Sequence, residues 1–72
     1  MYKGDLTKDE AFELMKKGHK VGREYFGSNE YVYLDNGIML FEDGVSAYTE
    51  WWNEIEPTLS KAEDGKDWYL IS

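Results

Sequence analysis

Leu6 to Phe26, LTKDEAFELMKKGHKVGREYF, decides the fold. Thr7-Lys8-Asp9-Glu10 is a capping box: the Thr7 hydroxyl can accept from the Glu10 amide while the Glu10 carboxylate reaches back to the Thr7 amide. Leu6 precedes the cap and can staple onto Ala11. Ala11, Phe12, Leu14 and Met15 form one apolar stripe at helical spacing, and Asp9, Glu10 and Glu13 make a solvated face. Lys16 and Lys17 suit the negative end of the helix dipole, and Gly18 stops the helix. The spacing predicts a helix over Thr7–Lys17. His19 to Tyr25 then reads as a first strand, carrying Arg23, the single arginine of the chain.

Downstream, Gly27-Ser28-Asn29 is a turn, and Glu30–Asp35 and Ile38–Glu42 are two strands joined by Asn36-Gly37. Asn-Gly between apolar runs is a strong hairpin signal, because both turn residues need positive φ. A two-residue loop fixes the register, with Leu34 opposite Met39, Tyr33 opposite Leu40, Val32 opposite Phe41 and Tyr31 opposite Glu42. Val32, Leu34, Met39 and Phe41 then form a face that can receive the helix. Tyr31, Tyr33, Ile38 and Leu40 form the other, too apolar to be left in water. Its cover is the C-terminal segment, a second protomer or a ligand.

Asp43-Gly44 is another turn. Ala47, Tyr48, Trp51, Trp52 and Ile55 fit a helix face, while Val45, Ala47, Thr49 and Trp51 fit a strand. A helix over Ala47–Ile55 is favoured, ended before Pro57. Leu59–Lys66 is an acidic connection, and Asp67–Ile71 closes the chain as a last strand. The expected class is α+β: an N-terminal amphipathic helix packed on a small antiparallel sheet, with a second short helix.

Seventy-two residues make one domain, near the lower limit for an unaided core. With no cysteine there is no disulfide and no thiolate metal site. Small chains without such staples often gain stability by oligomerising, and a homo-oligomer using the Tyr31/Tyr33 face is expected. There is no apolar run of membrane-spanning length and no leader pattern, which points to the cytoplasm and to no membrane partner.

The net charge is −7. Residues 42–72 hold eight acids against Lys61 and Lys66, so that half would repel a phosphate backbone, and direct nucleic-acid binding is not expected. One His is too few for a zinc site, and the acids lack calcium-loop spacing. Phosphate loops and nucleophile elbows are absent. The chain therefore reads as a non-enzyme without cofactor or metal.

Binding chemistry is better represented. Arg23 can fork onto a phosphate, with Tyr25 and Phe26 beside it and Trp68 as a further stacking surface. The competing reading has the aromatics in the core and Arg23 on an acid. Glu50, Glu54 and Glu56 around Trp51 and Trp52 support an alternative: an acidic DNA mimic that binds and blocks a host defence protein, a nuclease or a CRISPR effector. A small structural or regulatory protein is a third possibility.

The run Ala11–Phe26 resembles the opening of a phage-encoded family, the second type of Thoeris anti-defence protein. That family reads as a short amphipathic helix, Gly-Lys-Lys-Val, a small residue, Arg, then Gly-Trp. Gly18, Lys20, Val21, Gly22 and Arg23 match, while Tyr25 and Phe26 stand where glycine and tryptophan are usual. Asp67-Trp68-Tyr69-Leu70-Ile71 resembles the family's Asp-Trp ending. The likeness covers both ends of the chain, and the middle agrees as strand, turn and strand. It implies an oligomeric α+β protein in the host cytoplasm that sequesters a cyclic ADP-ribose-type or cyclic dinucleotide signal without cleaving it. Arg23 would hold phosphate, Phe26 or Trp68 would stack on a base, and Lys20 would add charge.

Overall fold

The computed structural model describes residues 4–58, 62 and 65–72. In chain order the elements are α1 (Lys8–Lys16), β1 (Val21–Arg23), β2 (Val32–Asp35), β3 (Ile38–Phe41), α2 (Thr49–Glu54) and β4 (Trp68–Leu70). The architecture is α+β, with both helices on one face of a four-stranded antiparallel sheet of order β3-β2-β1-β4. The part of the acidic connection at residues 59–61 and 63–64 lies outside the described residues.

The local signals of α1 are realised. Thr7 accepts from the Glu10 amide at 3.1 Å, and Glu10 accepts from the Thr7 amide at 2.9 Å. Lys17 and Gly18 close the helix onto Leu14 and Met15 carbonyls, with Gly18 at φ 97°. The hairpin is realised as well. Asn36 and Gly37 take φ 53° and 81°, and Leu34 pairs with Met39, Tyr33 with Leu40 and Val32 with Phe41.

The strands are shorter than their apolar runs. β1 stops at Arg23 rather than Tyr25 because a turn closes there, the Phe26 amide donating to the Arg23 carbonyl at 2.8 Å. β2 begins at Val32 rather than Glu30, since Glu30 is held in the Gly27 turn through its amide and its carboxylate. β3 ends at Phe41, one residue early, where the Gly44 amide turns back onto the Phe41 carbonyl. β4 keeps Trp68–Leu70 of the expected Asp67–Ile71 and pairs with β1.

Both periodicities read in residues 45–55 are present, one after the other. Val45–Ala47 run extended along the outer edge of β3, bonded through Phe41 and Met39, and α2 starts only at Thr49. On the far side of the sheet Leu6 bridges Trp68. Each edge strand is thus partly covered by its own chain, which blunts edge-to-edge pairing.

Ala11, Met15, Val21, Val32 and Trp68 form the buried centre, with Phe12, Leu34, Met39, Phe41, Trp51 and Trp52 packed against it. The face predicted to receive the helix does so. A chain of tilted and edge-on rings runs from Phe26 through Trp68 and Trp52 to Phe12, at centroid spacings of 6.1, 5.2 and 5.6 Å. Ring pairs in such geometries add to the area they bury.

Candidate functional site

Strand alternation sorts the candidate residues. Val21 pairs with Val32 and Arg23 pairs with Trp68, so Arg23 points to the helix side, and Lys20, an odd number of residues away, belongs to the opposite face.

Arg23 is 2% exposed. Its Nε donates to Asp67 Oδ2 at 2.6 Å, and its Nη2 donates to the Glu56 carbonyl. The rings of Tyr25 and Trp68 flank the guanidinium, each centroid 5.3 Å from Cζ. Trp68 is fully buried, and Phe26 packs edge-on against it. Of the residues expected to present themselves to a ligand, Arg23 and Trp68 are thus enclosed by the fold, and Phe26 is half-buried. A buried guanidinium needs an anion, and the fold supplies Asp67, the residue just before β4. Tyr25 stays exposed at its edge.

Lys8 makes a related contact from α1. Its ammonium donates to the Trp52 and Ile55 carbonyls at 2.6 and 3.3 Å and lies 4.9 Å from the centroid of a Trp52 ring. Burial and then the nearby Arg23 charge push the Lys8 pKa below its ordinary value. α2 has no base in its last turn. Lys8 and Arg23, both from the N-terminal half, hold carbonyls at and just after its C-terminus, where cations are favoured. Sequence reading missed this role for Lys8. The available signal was an acidic helix ending without a cation.

The alternative set divides. Glu50, Glu54 and Glu56 are exposed, as an acidic docking surface requires. Trp51 and Trp52 are half-buried and belong to the ring cluster, Trp51 lying edge-on to Phe41 at 5.1 Å.

The opposite sheet face brings together residues that were read separately. Tyr31 and Tyr33 lie 5.9 Å apart, and the Lys20 ammonium sits 5.1 Å from the Tyr31 centroid. Leu40 pairs beside Tyr33, and Ile38 is 56% exposed. Tyr69 joins from β4, its ring laid on Gly22, where an added Cβ would meet ring atoms at 2.9 Å. Burial, followed by the charges of Glu24 and Glu30, raises the Tyr69 pKa. The tail was one expected cover for this face. Its strand β4 lengthens the sheet, and among the described residues the Tyr69 ring reaches across onto Gly22. Tyr31, Tyr33 and Leu40 remain half-buried, and both helices sit on the other side.

Among the described residues, no three His, Cys, Asp or Glu side chains are grouped to hold a metal ion, and no helix is long and apolar enough to cross a membrane. Comparison with protein-family models, curated proteins and solved structures finds no match to this chain.

Proposed function

We propose that this chain is a counter-defence protein that sequesters an anionic cyclic nucleotide signal on its open sheet face. The observation that carries the reading is Lys20 over Tyr31 with Tyr33 alongside, on a face that neither helix covers. Every nucleobase has a π face, so tyrosines on a sheet give it a platform, and a flanking ammonium gives the phosphate a counter-charge. The counter-defence setting and the cyclic ADP-ribose-type or cyclic dinucleotide class come from the resemblance to the Thoeris anti-defence family. The contact residues differ from those the resemblance implies: Lys20 is kept, and Tyr31, Tyr33 and Tyr69 replace Arg23, Phe26 and Trp68. Retention of the signal without cleavage is likewise what the resemblance implies.

Calorimetry with cyclic ADP-ribose isomers and cyclic dinucleotides tests the reading. Binding of at least one is expected, weakened about tenfold or more by Lys20→Ala and by Tyr33→Ala, since each stacked base is worth roughly 1–3 kcal/mol. No heat with any of them would overturn it. Self-association that buries Tyr33, with no nucleotide response, would assign the face to a homo-oligomer contact instead.

A second reading rests on the exposed Glu50, Glu54 and Glu56. In it the acidic side imitates DNA and blocks a basic groove of a host defence protein. Reversing all three to lysine would then abolish inhibition by slowing association, and inhibition would fall steeply with salt.

A further inference from the structure

We propose that the groove between α1, the tip of the β2–β3 hairpin and α2 is a docking site for a basic amphipathic helix of a partner protein. The groove opens on the helix side of the sheet and shares Ile38, at its rim, with the open sheet face; the proposal does not depend on the nucleotide reading.

The groove has a volume of about 740 Å³, within the range of roughly 300–1,000 Å³ typical of binding clefts. Phe12, Leu34, Met39, Ala47 and Trp52 supply its apolar lining. Met39 adds an unbranched, polarisable side chain that can adapt to different apolar anchors. Two large apolar side chains on the rim remain in water: Ile38 is 56% exposed and Tyr48 is 72% exposed. An enclosed small molecule would leave that rim uncovered, whereas a segment lying along the groove covers it.

Charge selects the occupant. Glu50 lines the groove, Glu54 is exposed on the same helix, Glu56 is exposed just beyond it, and α2 offers no base in its last turn. Lys16, the one cation among the described residues of the lining, is engaged by Glu13 at 2.7 Å and lies over the Phe12 ring at 5.5 Å. A nucleic acid would be repelled, and a second copy would set Glu50 and Glu54 against their own like. A segment with Lys or Arg flanking its anchors is matched.

Backbone geometry selects its conformation. The outer edge of β3 is already bonded to Val45–Ala47, so an added strand finds no free ladder there. Recognition falls to side chains, as when an amphipathic helix lays anchors at i, i+3/i+4 and i+7 into a groove.

A displayed library of helix-forming peptides, selected on the full chain and counter-selected on Ile38→Glu, tests this. Enriched sequences should carry large apolar residues at helical spacing together with Lys or Arg. The best peptide should weaken about tenfold or more against Glu50→Lys and against Tyr48→Ala, and should be indifferent to Lys20→Ala. All four substituted side chains lie on the surface or half-exposed, and amide spectra would verify that the variants stay folded. The proposal is overturned by enriched peptides without basic residues, by binding that ignores Glu50→Lys, by no enrichment over the counter-selected variant, or by self-association that Tyr48→Ala abolishes.

Discussion

Lys20 and Arg23 stand three residues apart around one short strand, yet the sheet gives them opposite work. Arg23 faces inward, where its charge must be matched: Asp67 takes one side of the guanidinium, the Glu56 carbonyl another, and two rings close the faces. Lys20 faces outward and rests on Tyr31. The contrast teaches that a cation beside aromatics is not by itself a ligand site. Strand parity decides whether the same chemistry is spent on the fold or left for a partner.

Removing the two side chains separately should give the largest effect. Arg23→Ala takes the guanidinium away from the buried Asp67 carboxylate, and breaking a buried pair this way costs about 3–5 kcal/mol. In a chain this small, that removes most of the folded population. Lys20→Ala loses one exposed cation–π contact and should cost about 1 kcal/mol or less. Urea unfolding of the two variants measures the difference. Equal losses would erase the distinction between the faces.

Lys8→Ala probes the second inward cation. It frees the Trp52 and Ile55 carbonyls at the end of α2, and losing charge-assisted hydrogen bonds of this kind should cost about 1–2 kcal/mol. Amide exchange should quicken first in residues 49–54. If exchange there is unchanged, α2 does not depend on the N-terminal half.

Thr7→Ala should cost about 1 kcal/mol, the usual worth of a helix N-cap. The reciprocal partner adds a pH signature. The bond from the Thr7 amide holds the Glu10 pKa below its ordinary 4.5. Its contribution is present above that value and lost as pH falls through the lowered one. The acid-limb slope of stability should therefore flatten in Glu10→Gln.

The smallest effect belongs to Tyr69 on the outer face. Its pKa is raised, so its contribution is complete below pH 10.0 and is lost as pH climbs through the higher folded value. Lys8 acts in the opposite sense, because its folded pKa lies below 10.5 and stability rises across that interval. Tyr69→Phe should remove the loss and leave the Lys8 gain, as alkaline denaturation followed by tyrosine absorbance would report.

What was legible in the sequence was local. Thr7–Glu10, Gly18 and Asn36-Gly37 each carry their geometry within a few residues, so the helix, the hairpin and its register could be read directly. The Arg23–Asp67 pair spans 44 positions, and among fifteen acids no local rule selects that partner. Period-two alternation from Val21 did place Arg23 on the core side. A phosphate-binding reading overlooked that parity. Residues 45–55 carried two periods because they form two structures in succession.

The most direct test of the central claim is an amide and side-chain NMR titration of the unaltered chain with the cyclic nucleotide that calorimetry selects. The account predicts shifts concentrated at Lys20, Tyr31, Tyr33 and Tyr69, with the Arg23 guanidinium and the Trp68 indole unmoved. Shifts concentrated at Arg23, Asp67 and Trp68 would contradict it, because the buried pair would then have opened to take the ligand.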